Sequence, residues 1–590
     1  MNTFPLIRTK LSNEHIMAGV FAVLVLYMLP SWIDDPEKIM SFAAVLAVSL
    51  VLDSVINHIR FKKTVCSVSA AVTAGIYFNL AAGVPLWGQL LGITAALVVG
   101  KHIWGGTGKN IFNPAMVGIL FTSVFFNISY PSFNYSWLLL PVLLLSLPFI
   151  SFRPFASLGF IAGMTAAMIF NQDFSLHNFV SWGVVFWGCL VLTDPVTVSL
   201  NPVLGLAGSI AVGFAGLQFS NITLALAVGV VTLNLLSAIA DRLPKRENRR
   251  AVPKMTIKKI IPYQEGITTF VDLTENEAAV DQTAALPDKV EILKRIGVNG
   301  VFGMGGAAFP TINKITATVD SKEASKHLII NAVECDPGLL HDNWIIRHKM
   351  DEISKGVDIL KRCIEFESVT LAIKAGNMVE CPQGMKLFEV PDYYPAGAER
   401  ILINRVLGKK LSYKDIPSKK GVLVLNVQTV WAIYEAAVKN KKIDSRLITV
   451  ADMRNKSSYI VKVRLGESIQ RIADELKLSS INLFIGGGAM QCRNYTGDET
   501  VDNTINFIAS GSFPRYKESP QCSRCGFCRA NCPEGLMVDR IAQIVDRGDA
   551  AAAKRYKPEK CMQCGSCSRV CLAGRNLSAR VNAAKATVRS

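Results

Sequence analysis

Up to about Asp241 the sequence is one long apolar run after another, and beyond it charged residues take over. A bilayer core needs about 20 apolar residues per helix, and backbone in lipid must satisfy its own hydrogen bonds, so this half can fold only as a helical membrane bundle. We read ten spans, centred near Val23, Val48, Ala74, Leu97, Thr122, Leu144, Thr165, Val185, Gly208 and Ala227. With the N-terminus inside, the internal loops collect Arg8, Lys10, Arg60, Lys62, Lys63, Lys101, Lys109, Arg153, Arg242, Lys245, Arg246, Arg249 and Arg250, whereas the external loops hold only Lys38. The positive-inside rule then puts both termini and the soluble half in the cytoplasm, on a multi-pass protein of a prokaryotic cytoplasmic membrane. The first apolar run, residues 16–29, lacks a small-residue cleavage site and reads as a span, not a cleavable leader.

A chain of 590 residues exceeds one core. Its net charge of +17 divides into +6 up to Met255 and +11 after it. That excess suits anionic lipid headgroups or an acidic redox partner. No segment has the pattern of a nucleic-acid module.

Two internal stretches suit lipid poorly. They are Gly105-Gly-Thr-Gly-Lys-Asn-Ile-Phe-Asn-Pro-Ala and Thr193-Asp-Pro-Val-Thr-Val-Ser-Leu-Asn-Pro. Each carries Asn-Pro beside amide or hydroxyl groups. They are either plain cytoplasmic turns or a pseudo-repeated pair of broken helices facing each other around a cofactor. Residues 105–118, with Leu192-Thr-Asp-Pro-Val-Thr, resemble signatures of the D subunit of the Rnf complex and the B subunit of the sodium-pumping NADH:quinone reductase. The resemblance covers about residues 15–243 and implies a flavin-binding membrane subunit. Those proteins attach an FMN covalently to the Thr of a Ser-Gly-Ala-Thr segment in an outer loop, and residues 121–137 here carry no such segment. What remains implied is a non-covalent flavin, with ion pumping in doubt. His58 and His102, at inner ends of spans, are a haem-ligand pair or ordinary interfacial histidines.

In the soluble half, a helix at about Lys289 leads into Gly300-Val-Phe-Gly-Met-Gly-Gly-Ala-Ala-Phe-Pro-Thr. Closely spaced small residues let backbone N–H groups approach a phosphate. A strand at 327–333 ends in Glu334-Cys-Asp-Pro, and polar residues at the C-terminal end of a buried parallel strand are where α/β folds place ligands. This region resembles the C subunit of the Rnf complex and, more remotely, the NADH-oxidising flavoprotein subunit of respiratory complex I. The matching motifs are residues 303–314, 330–338, Tyr394-Pro-Ala-Gly-Ala-Glu and Leu425-Asn-Val-Gln-Thr. By that resemblance Gly303, Gly305, Gly306, Lys314, Asn331 and Asn426 line an FMN, Glu334 and Phe309 face a nicotinamide nucleotide, and Asp336 is a further cofactor-binding residue. Asp336 stands where the family has Glu, Ala308 replaces a Gly, and the domain that precedes the glycine loop in the family is cut to a remnant. Cys335 sits in this region as a reactive thiol or a packed one. Residues 457–490 resemble the family's small ubiquitin-like (SLBB) ligand-binding module.

Eight of the fourteen cysteines fall in two runs, Cys522-x2-Cys525-x2-Cys528-x3-Cys532 and Cys561-x2-Cys564-x2-Cys567-x3-Cys571. This is the two-cluster ferredoxin spacing, in which the fourth Cys of each run ligates the other [4Fe–4S] cube. The expected sets are Cys522, Cys525, Cys528 with Cys571, and Cys561, Cys564, Cys567 with Cys532. Structural zinc fits two matching runs of four poorly. Disulfides are disfavoured in a cytoplasmic tail.

The expected architecture is therefore multi-domain. It comprises a ten-helix membrane bundle (1–243), a basic linker and remnant (244–285), an α/β Rossmann-like FMN and NAD domain (286–445), a β-grasp SLBB-like module (446–512) and an α-helical two-cluster ferredoxin domain (513–590). The expected activity is NAD(P)H oxidation through FMN, with single electrons passing through the clusters to a membrane or protein acceptor in an Rnf-like assembly. Two alternatives are a membrane-docked relay fed by ferredoxin or flavodoxin, and a reductase of a corrinoid-type protein. No side chain is singled out as a catalytic acid, base or nucleophile.

Overall fold

The computed structural model describes residues 6, 12–61, 67–128, 131, 153–181, 183–192, 194, 196–199, 201–240, 269–274, 287–377, 379–479, 482–512, 518–519 and 522–589. The membrane half contains helices α1 (Asn13–Asp34), α2 (Glu37–Phe61), α3 (Val68–Leu80), α4 (Leu86–Ala95), α5 (Pro114–Phe125), α6 (Pro154–Phe170), α7 (Pro202–Gly216) and α8 (Ile222–Ala240). Among the described residues three helices, α1, α2 and α8, are long and apolar enough to cross a bilayer, and α3, α5, α6 and α7 are shorter apolar helices. The span expected near Leu144 lies outside the described residues, as do most of the linker, Cys66, and all of 121–137 beyond Ile128 except Pro131.

Helical segments flank the two broken stretches. α4 loosens into a π-helix, Ala96–His102, and a second π-helix, Trp187–Val191, precedes the other stretch. After each comes irregular chain, and then a helix restarts with Asn as its N-cap and Pro as its first residue. The Asn113 side chain accepts from the Ala115 N–H and that of Asn201 from the Val203 N–H. This is why both stretches read Asn-Pro: the amide satisfies an orphan N–H, and proline has none to lose.

Helices α6 and α7 pack with almost no side chain between them. A Cβ on Gly159 would lie 2.4 Å from the Leu206 carbonyl oxygen, and one on Gly163 2.2 Å from that of Ile210. In lipid, where no hydrophobic force draws helices together, such small-residue contacts supply the packing. Leu26, Ile33, Met40, Val51, Val124 and Phe125 remain exposed, as expected of side chains that meet acyl chains rather than water.

The soluble half is built on two sheets. The first is four-stranded and wholly parallel, β2 (His327–Ala332), β3 (Ser368–Lys374), β4 (Lys386–Val390) and β5 (Val422–Asn426), in the order β4-β3-β2-β5. The order reverses between β2 and β5, the place where a doubly wound sheet opens a crevice. The second sheet, ordered β1-β7-β6-β10-β8-β9, is mixed. It comprises β6 (Ser445–Asp452), β7 (Ser457–Arg464), β8 (Leu483–Gly486), β9 (Cys492–Asn494) and β10 (Phe507–Ser510), with helix Ile469–Glu475 lying between β7 and β8 in the chain. The remaining strand, β1 (Thr269–Asp272), comes from the segment expected to be a linker and remnant, and it pairs in parallel with β7. That segment therefore contributes an edge strand to the second, mixed sheet. Four alternating residues between polar neighbours were too short a signal to show it. The C-terminal region is helical, with Val538–Val545 and Leu577–Arg589 packed around Ile541, Ala542, Val581 and Ala584.

Candidate functional site: a flavin crevice and a cysteine cradle on the membrane half

The crevice forms where β2 and β5 end. Asn331 and Asn426 are register partners on these adjacent strands, and the glycine loop covers them. A Cβ on Gly305 would lie 3.5 Å from the Asn426 Cβ, and one on Gly306 3.7 Å from the Gly487 Cα, just past β8 of the mixed sheet. The loop is held rather than free. The Gly303 N–H donates to the Phe309 carbonyl at 2.8 Å, and the Met304 N–H donates to the Thr429 hydroxyl at 2.9 Å. Buried Arg446 donates to the Met304 carbonyl at 3.0 Å. The N–H groups of Gly305, Gly306, Ala307 and Ala308 find no acceptor among the described residues. Four unpartnered donors over two asparagines, with no Cβ in the way at two of them, fit a phosphate-bearing flavin.

The other expected residues are more occupied. Asn331 donates to the Gly397 carbonyl at 2.9 Å, and Asn426 donates to Asp342 at 2.8 Å while capping the helix that follows. Lys314 is paired with Glu399 at 3.0 Å and donates to the Val424 carbonyl. Glu334, in a left-handed conformation with φ 43°, accepts from the Asp342 N–H at 2.9 Å at the start of helix His341–His348. Asp336 accepts from the N–H groups of Gly338, Ala489 and Met490, so its carboxylate ties the end of β2 to the turn between β8 and β9 of the mixed sheet. Phe309 is 46% exposed, leaving its ring available. The Cys335 thiol is pushed up to about 12, chiefly by burial, and accepts from the Gly397 N–H at 3.2 Å. That makes it a packed thiol, not a nucleophile.

The eight clustered cysteines fall into two neighbourhoods. Burial pushes each thiol up, and the neighbouring thiols that add to this reveal the grouping. Cys522, Cys525 and Cys571 act on Cys528, whereas Cys564, Cys532 and Cys561 act on Cys567. Among the described residues no three His, Cys, Asp or Glu are drawn together tightly enough for a single metal ion. The corners of a cube, each taking one thiolate, require a wider spread than one ion does.

Each run faces a different part of the chain. At the second run, the Tyr394 hydroxyl donates to the Cys564 carbonyl at 2.7 Å and Arg400 to the Lys560 carbonyl at 3.1 Å, while Gln491 donates to the Gln563 carbonyl. Both Tyr394 and Arg400 belong to the flavin domain. At the first run the contacts come from the membrane half. Arg153 donates to the carbonyls of Val198, Arg524 and Cys525 at 3.1, 3.1 and 3.3 Å. Gly108, at φ 81°, lies so close that a Cβ would fall 1.5 Å from the Cys522 carbonyl oxygen. The first broken stretch thus sits directly against this run, the second reaches it through Arg153, and the two meet each other through Asn234. Its side chain accepts from the Asn113 N–H at 2.8 Å and donates to the Thr197 carbonyl at 3.3 Å. A small cavity beside them is lined by Lys101, Thr107, Asn110, Asn113, Asp194 and Ser523, with Ile16 and Val20 on its apolar wall.

Lys101, counted from the sequence as a loop charge, is 2% exposed. It pairs with Asp53 at 2.8 Å, and Asp53 also takes the His102 Nε2 at 2.9 Å. His102 is therefore engaged by a carboxylate while His58 is exposed, which does not make a ligand pair. Arg153, Asn234 and Asp53 carried no sequence signal beyond being polar in apolar surroundings.

Residues 1–239 match the model of the NQR2, RnfD, RnfE family, residues 296–435 the Nuo51 FMN-binding domain and residues 515–572 the 4Fe-4S dicluster domain. The chain is a fusion resembling the D and C subunits of the Rnf complex. Its soluble half is 27% identical over 300 residues to the C subunit of the ion-translocating oxidoreductase complex of Buchnera aphidicola, covering 48% of this chain and 62% of that protein. The corresponding protein of Haemophilus influenzae is 28% identical over 281 residues, covering 45% and 43%. The chain thus spans less than two thirds of the length of these relatives. An NAD+-reducing [NiFe]-hydrogenase in the air-oxidized state aligns at TM-score 0.37 and 17% identity over 51% of this chain and 66% of that one, too slight a likeness to argue from. FMN and iron–sulfur clusters are the cofactors that the matched domains of this D–C fusion are built to hold.

Proposed function

We propose that this chain is a membrane-bound electron-transfer enzyme that oxidises NAD(P)H at its flavin crevice and passes single electrons through two [4Fe–4S] clusters to an acceptor in its own membrane half or a neighbouring subunit of an Rnf-like assembly. FMN supplies the exchange between a hydride pair and single electrons, and the cubes supply single-electron carriage. The observation that carries the reading is the two-sided attachment of the cysteine domain. Tyr394 of the flavin domain grips the loop of Cys564, and Arg153 of the membrane half grips that of Cys525.

The residues divide the work. Gly305, Gly306, Ala307 and Ala308 offer N–H groups to a phosphate, Asn331 and Asn426 floor the crevice, and Phe309 and Glu334 border the nicotinamide side. Cys522, Cys525, Cys528 and Cys571 hold the membrane-side cube, and Cys561, Cys564, Cys567 and Cys532 the flavin-side one. Ten spans with both termini and the soluble half in the cytoplasm belong to the same reading, supported by the Leu6 N–H donating to the Ala489 carbonyl of the β-grasp module at 2.9 Å. The cavity between the broken stretches suits a second, non-covalent flavin.

The test is anaerobic titration of the purified, cluster-loaded protein with NADH and NADPH, following flavin absorbance and cluster EPR. Bleaching by either nucleotide is expected. FMN retained yet bleached by neither, with the clusters reduced by ferredoxin or flavodoxin, would make the chain a membrane-docked relay.

A further inference from the structure

A cavity of about 410 Å3 opens in the cysteine domain between helix Val538–Val545 and the 3-10 turn Ala551–Tyr556. Its walls are Arg540, Arg547, Arg555, Gln543, Ile544 and Tyr556. Nothing in the flavin or cluster chemistry above uses it. Three guanidiniums around one hollow need negative charge, and the nearby carboxylates are spoken for. Asp539 is gripped by two nitrogens of Arg529, and Asp546 is shared by Arg575 and Arg580. Asp549 accepts from the Ala552 N–H. Arg540 is the most enclosed of the three, and its Nε and Nη2 have no hydrogen-bond partner among the described residues. Burial, together with the charges of Arg524 and Arg529, pulls its pKa down, and the charge of Asp539 opposes this only in part. A buried donor left unmade is costly, and a buried unpaired cation more so.

We infer that this cavity is a binding site for a phosphate-bearing anion, with Arg540 as its inner ligand and Arg547 and Arg555 at its mouth. Guanidinium forks match phosphate oxygens in geometry. The volume falls within the range of small-molecule sites, about 300–1,000 Å3, so more than a bare ion fits. Ile544 and the Tyr556 ring, over which Arg555 is stacked at 5.0 Å, give an apolar wall for the rest of an organic phosphate. Two sources share this chemistry. One is a soluble phosphate; the other is the headgroup of an anionic lipid, because Arg524, whose charge reaches Arg540, is itself held by Arg153 of the membrane half. On the opposite wall Gln543 Nε2 is a second buried donor with no hydrogen-bond partner among the described residues.

The test is calorimetric titration of the full, cluster-loaded chain in phosphate-free detergent buffer, first with inorganic phosphate and then with short-chain phosphatidylglycerol. Saturable binding is expected, weakened about tenfold or more by Arg540→Gln, the scale of a lost charge-assisted hydrogen bond. Arg555→Gln serves as the second variant, and unchanged iron content shows that either has folded. Binding of both probes assigns the site to phosphates at large, and binding of phosphatidylglycerol alone assigns it to the lipid headgroup. Binding of neither, or binding that both variants leave intact, overturns the inference.

Discussion

The guanidinium of Arg153, at the head of α6, donates to the main-chain carbonyl of Cys525, 372 residues further along the chain. Through this bond and a second to the Arg524 carbonyl the membrane half holds the cysteine loop by its backbone, while the third, to Val198, anchors the guanidinium within the membrane half. Arg153→Ala would strand three carbonyls and remove a buried charge, a loss of about 2–4 kcal/mol for the docked state. Hydrogen exchange should quicken across residues 522–526 while iron content stays unchanged. Equal exchange in variant and wild type would remove Arg153 from the docking contact.

The crossed ligand sets can be checked one cube at a time. Cys571→Ser should abolish the EPR signal of the membrane-side cube, and Cys532→Ser that of the flavin-side cube, each removing roughly half the iron. If each substitution instead silenced the cube of its own run, the crossing would be wrong.

Asp53 and Lys101 are a buried pair, 2.8 Å apart and almost fully enclosed. Removing one partner by Asp53→Asn or Lys101→Met should cost roughly 3–5 kcal/mol, because the other charge is stranded, whereas the double variant should recover much of it. Thermal unfolding in detergent across the four-protein cycle measures this. Additive losses would show that the two charges do not depend on each other.

Cys335, its pKa pushed up to about 12 by burial, should stay protonated and resist iodoacetamide at neutral pH in the native protein. Mass spectrometry after brief alkylation, set against an unfolded control, gives the answer. Rapid native labelling would return Cys335 to the list of reactive groups. The folded pKa lies above that of a free thiol, so burial favours the neutral form, and this contribution to stability fades only as pH rises past the free-thiol value.

The flavin loop, the strand that ends beneath it and the cysteine runs were legible because each is local: a few residues at fixed spacing state their chemistry. The Asn-Pro pairs were legible as breaks in helices, though not as caps. Asp336 shows the limit in the other direction. Its motif pointed to the nucleotide, yet its oxygens accept N–H groups from Ala489 and Met490, 153 and 154 residues away. Strand β1 was hidden for a similar reason, since its partner β7 lies far along the chain.

By itself the sequence determined that the first half must be helices in lipid, that the second half carries a glycine loop at a sheet's edge, and that eight cysteines can hold two cubes. Hydrophobic length, backbone freedom at glycine and ligand spacing are properties of short segments, and no fold is needed to state them. Tertiary structure alone decided which run of cysteines meets the membrane half and which meets the flavin domain. It also decided that Lys101 is a buried partner of Asp53 and that Asn234 ties the two broken stretches together. Those facts depend on which buried polar atoms find each other across hundreds of residues, and most buried polar atoms take the partner that the packing supplies.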